Sequence, residues 1–63
     1  MVEECKVVHV NTATRKIRVE RLERDNLVSG EIPVFKGMNI PRVNSFVVCI
    51  FSDGKGYLLG ELE

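Results

Sequence analysis

The segment Pro41–Leu62, PRVNSFVVCIFSDGKGYLLGEL, decides how this chain is read. It holds an unbroken apolar run from Phe46 to Phe51, a polar stretch with two glycines, and a second apolar run around Leu58 and Leu59. Six apolar residues cannot span a bilayer, which needs about 20. The run also lacks the polar positions that a surface helix shows every third or fourth residue. Val47, Val48, Ile50 and two phenylalanines favour extended backbone. Asp53-Gly54-Lys55-Gly56 supplies residues that tolerate the positive φ of a tight connection. The segment therefore reads as a β-hairpin.

Alternation divides the hairpin into two faces. Phe46, Val48 and Ile50 point one way, and Val47, Cys49 and Phe51 the other. In the partner strand Leu58, Gly60 and Leu62 share a face, while Tyr57 and Leu59 begin the opposite one. Both faces are apolar, and a strand apolar on both faces normally has cover on both. One face can line the interior of a small barrel. The set Val47, Cys49, Phe51, Tyr57 and Leu59, with Met38 and Ile40 from the preceding loop, is the candidate subunit interface. Gly60, inside the closing strand, is expected where neighbouring backbone comes close.

Upstream, Val2–Val10 reads as a first strand with imperfect alternation: Val8 and Val10 on one face, Cys5, Val7 and His9 on the other. Asn11–Thr14 is a turn. Arg15–Leu22 contains good helix formers, but Ile17 and Val19 alternate with Lys16, Arg18 and Glu20. A helical stripe would need apolar residues at 20, 21 or 24, which are Glu, Arg and Arg. No capping box precedes the segment. It is a second strand. Leu27–Phe35 is expected as a third, interrupted by Gly30 and Pro33 and so placed at an edge or bulged. Five short strands in a chain of 63 residues predict one all-β domain over residues 1–63, a five-stranded OB-like or SH3-like barrel without a helix.

Composition narrows the function. A chain this short is only marginally stable alone. Nine basic and nine acidic residues leave no net charge to steer it to nucleic acid or anionic lipid. The acidic N-terminus does not look like a secretory signal, so synthesis in the cytosol is expected, with Cys5 and Cys49 reduced.

The residues offer little for catalysis, cofactor or metal binding, and none is assigned. His9 is the sole histidine, expected as a partly buried strand residue. Cys5 and His9, four apart, would sit about 13 Å apart on a strand, too far for one ion. Gly54, Gly56 and Gly60 lack the spacing and the following helix of a dinucleotide fingerprint. Asp53 reads as a turn residue. The cluster Arg15, Lys16, Arg18, Arg21 and Arg24 is interleaved with Glu20, Glu23 and Asp25 and carries no aromatic for base stacking. It reads as a solvated mixed-charge face, with nucleic-acid binding by an OB or SH3-like module as the alternative function.

The order of features resembles the small OB-fold domains of phage tail baseplate and spike proteins, related to those of type VI secretion spikes. The residues that carry the likeness are Lys16-Ile17-Arg18-Val19, Ser29–Val34, Ile40–Val48 and Gly56–Leu62. Asn44-Ser45 stands where that family commonly has an acidic or Gly-Asp turn. The resemblance implies a structural, non-enzymatic tail module, a homo-oligomer and usually a trimer, made in the bacterial cytoplasm, bound to other tail or baseplate proteins and found in the assembled virion or tail particle.

Overall fold

In the computed structural model, which describes residues 1–63, Val2–Asn11 forms the long strand β1. Glu3, Cys5 and Val7 are buried, with Val2 exposed before them and Glu4 exposed between the first two. The alternation then slips. Val7 lies opposite Val19 and His9 opposite Arg18, so Val8 is an extra residue in a β-bulge. Beyond it Val10, not His9, packs against the core, and His9 is exposed rather than partly buried. One inserted residue thus explains the mixed pattern of this strand.

A side-chain turn links β1 to β2 (Lys16–Arg21). Asn11 Oδ1 accepts from the backbone N–H of Ala13 at 3.1 Å and of Thr14 at 3.2 Å. In β2, Ile17 and Val19 are fully buried between exposed Lys16 and Arg18, as alternation predicts.

The expected third strand, Leu27–Phe35, is two short ones, so the sheet has six strands rather than five. β3 (Leu27–Val28) and β4 (Ile32–Pro33) both pair with β2. Val28 faces Glu20 and Ile32 faces Ile17, which leaves one residue too many between them for a continuous ladder. Ser29 bridges the break. Its N–H donates to the Val19 carbonyl at 2.8 Å, and its Oγ accepts from the Val19 N–H at 3.1 Å. A hydroxyl stands where a strand carbonyl would be, and Gly30 and Glu31 loop past it.

The hairpin forms as predicted. β5 (Phe46–Ser52) and β6 (Lys55–Glu61) are joined by Asp53 at φ 51° and Gly54 at φ 76°. Positive φ at both central residues is the type I′ geometry that matches strand twist. β5 also pairs with β1, from Val2 opposite Ile50 to Lys6 opposite Phe46. Beyond β5 the ladder continues through Val7 N–H to the Ser45 carbonyl (2.9 Å) and Asn44 N–H to the Val7 carbonyl (2.7 Å).

The result is one antiparallel sheet in the order β3-β2-β1-β5-β6, with β4 also on β2. It curls around Cys5, Val7, Ile17, Val19, Ile32, Val34, Val47, Cys49 and Leu58. The sheet does not close. β4 packs against β6, but no backbone hydrogen bond joins β3 or β4 to β6. The glycine at the close approach is Gly56. A Cβ there would stand 2.8 Å from Phe51 Cε1 and 3.0 Å from Ile32 Cδ1, whereas nothing lies within 4 Å of one at Gly60. The sequence reading placed the tight spot four residues too late.

Candidate functional site

The largest unexplained feature of the surface is the outer face of β5 and β6. Val47 and Cys49 are fully buried in the core of the single chain. They cannot contribute to a subunit interface, which corrects the expected set. Phe51, Met38 and Ile40 also turn toward the core and are partly buried against it. The outward side chains of β5 are Phe46, 45% exposed, with Val48 and Ile50 partly exposed. Register against β1 fixes the faces: Val47 and Cys49 lie opposite the inward Cys5 and Glu3, and Phe46, Val48 and Ile50 opposite the outward Lys6, Glu4 and Val2.

The neighbouring strands extend this face in register. Val2, Ile50 and Tyr57 stand in one row across β1, β5 and β6; Glu4, Val48 and Gly60 form the next. Lys6 and Phe46 form the third, where Leu62 N–H donates to the Phe46 carbonyl at 2.8 Å. A second bulge, with Val48 opposite Gly60 but Cys49 opposite Leu58, leaves Leu59 as the extra residue. It separates buried Leu58 from exposed Leu59, which with Tyr57 remains on the surface as expected. The patch is apolar along β5 and β6 and bordered on β1 by Glu4 and Lys6.

The inner face has one polar constellation that the sequence reading missed. Glu3 is buried, with its side chain only 1% exposed, and pairs with Arg21 on β2. Arg21 Nε donates to Glu3 Oε1 at 3.0 Å and its Nη2 to Oε2, a two-pronged contact. The guanidinium carbon lies 3.9 Å above the centre of the Phe51 ring. That ring in turn covers Gly56. The hydrogen bonds from Arg21 hold the Glu3 carboxyl below its ordinary 4.5, against the opposing effect of burial. The only signal in the sequence was an acid at an inward position of β1, a place that alternation reserves for apolar residues.

Beside Arg21 a cleft of about 710 Å³ opens along the unclosed seam. One wall is the Leu27–Pro33 segment and the other is the hairpin tip from Phe51 to Tyr57. Cations (Arg24, Lys55) and anions (Glu31, Asp53) both line it, so it carries no single charge preference.

The groups with nucleophilic or acid–base potential are dispersed. Cys5 and Cys49 are free and buried on adjacent strands. Burial pushes both thiols up, Cys49 to about 12, so neither is a thiolate near neutral pH. His9 is exposed, and Asp53 occupies the hairpin turn.

The basic cluster is also divided. Arg21 is committed to Glu3, and Arg15 Nη2 donates to the carbonyls of Phe35 at 3.1 Å and Met38 at 2.6 Å. These contacts fasten the loop after β4 to the β1–β2 turn. Two of the five cations are thereby structural, and Lys16 and Arg18 remain on the outer face of β2.

No protein-family profile and no curated protein sequence matches the chain.

Proposed function

We propose that this protein is a non-enzymatic assembly module, an OB-like barrel with an open seam that works by self-association through the outer face of β5 and β6. The observation that carries this is the apolar patch of Phe46, Val48, Ile50, Tyr57 and Leu59 on the outer face. Burying such a side chain fully is worth about 1.5–3 kcal/mol. These are already partly covered, so each contributes roughly half of that. Five together give several kcal/mol, comparable to the whole stability of about 3–5 kcal/mol that a core of this size supplies. An assembly that stabilises its subunits this strongly is a sound design for a small structural part.

Two features support the OB-like reading. β3 and β4 behave as halves of one interrupted strand on β2, and β4 packs against β6 so that the ends of the sheet approach. An OB fold is itself a partly open five-stranded barrel. The role proposed is the one the resemblance implies, a structural part of a phage or phage-like tail or baseplate.

Sedimentation at low micromolar concentration tests the assembly. The wild type should run above the 7.1 kDa of one chain, and Phe46→Asp should run as a folded monomer. A wild-type monomer over this range refutes the proposal. Tail location is tested separately, by probing purified tail particles for the chain.

A further inference from the structure

We infer that the occupant of this face is a second copy of the chain, laid across it antiparallel about a two-fold axis level with Cys5 and Val47, so that Glu4 of each copy meets Lys6 of the other. The inference rests on the assembly reading above and adds the partner and its geometry. Glu4 and Lys6 are neighbours on the outward side of β1, across from Val48 and Phe46 of the apolar patch. Neither makes an ion pair within the chain: the sole pair under 4.0 Å is Glu3–Arg21, although Lys6 has Glu20 opposite it on β2. The border of the patch thus holds one unpaired anion and one unpaired cation, one strand repeat apart.

Such a border is complementary to itself only when reversed. Two sheets packed face to face lie about 10 Å apart, within reach of a glutamate and a lysine extended toward each other. A two-fold axis perpendicular to the strands and level with Cys5 and Val47, which are paired across β1 and β5, exchanges positions 4 and 6 on β1 and positions 46 and 48 on β5. Glu4 then faces Lys6, and Phe46 faces Val48, twice each, as an isologous interface requires, while the Ile50–Tyr57 row, three positions from the axis, falls at the edge of the contact. Parallel superposition would set Glu4 on Glu4 and Lys6 on Lys6, and like charges in register are unfavourable. A chain of zero net charge adds no long-range repulsion between copies.

Charge exchange tests the geometry. In sedimentation equilibrium the wild type should fit a dimer. Glu4→Lys places a lysine against Lys6 and should raise the dimer dissociation constant at least tenfold. Glu4→Lys with Lys6→Glu restores opposite signs and should return it to within about threefold of wild type. Circular dichroism checks that each variant is folded, and Glu4→Gln gives the neutral reference. If Phe46→Asp dissociates the protein but the charge variants leave its affinity unmoved, the face is right and the antiparallel two-fold is wrong. Three copies at equilibrium also overturn the two-fold. A wild type that stays monomeric overturns this inference and the assembly reading together.

Discussion

Replacing Arg21 with leucine should leave this protein close to unfolded. Glu3 would keep its place on the inward side of β1, its side chain 1% exposed, with no cation beside it. Removing one partner of a buried pair costs about 3–5 kcal/mol, because an uncompensated charge is left behind. Loss of the stacking on Phe51 adds about 0.5–1 kcal/mol. Against a total stability near 3–5 kcal/mol for a core of this size, Arg21→Leu should be largely unfolded at 25 °C and pH 7. Glu3→Gln should be milder, about 1–2 kcal/mol, because Arg21 is 17% exposed and can recover part of its hydration. The double variant Glu3→Leu, Arg21→Leu should be more stable than Arg21→Leu alone, since no charge is stranded. Urea titrations of the four proteins at pH 7 measure these differences. The reasoning also fixes a pH dependence. Arg21 depresses the folded pKa of Glu3 below 4.5. Its contribution is therefore fully present above about pH 4.5 and is lost as pH falls through the folded value. In Arg21→Leu that acid-side loss should vanish or reverse. An Arg21→Leu protein within 1 kcal/mol of wild type at pH 7 would refute the account of Glu3 as a buried, paired carboxylate.

The remaining predictions concern packing. Gly56→Ala should destabilise the fold by about 1–3 kcal/mol, since its methyl must displace a Phe51 ring held beneath Arg21; Gly60→Ala, with open space around its Cβ, should fall within about 0.5 kcal/mol of wild type in the same urea assay. Native Cys5 and Cys49 should label with iodoacetamide at pH 8 only as fast as the protein opens, and in urea both should react at once. Arg15→Ala releases the Phe35 and Met38 carbonyls and should raise hydrogen exchange through the loop that follows β4, at a cost of about 1–2 kcal/mol.

The sequence alone determined the all-β class, the two-residue turn at Asp53-Gly54 and strands β1, β2, β5 and β6. These depend on alternation, side-chain branching and positive-φ residues, all of which act within a few positions. It also showed that strand Phe46–Phe51 has more apolar side chains than one interior can hold. Which three go inside was not legible, because the pattern is apolar on both faces and the choice is fixed by register against β1, a strand distant in sequence. The bulges at Val8 and Leu59 were hidden for a related reason: an inserted residue is defined by a partner strand distant in sequence. The split at Ser29 required a serine hydroxyl to stand in for a ladder carbonyl, and nothing local marks that serine from another. The Glu3–Arg21 pair joins residues 18 apart. It exists because β1 and β2 bring an inward acid and an inward arginine together, and the low polarity of the space they share turns two ordinary surface residues into one buried unit.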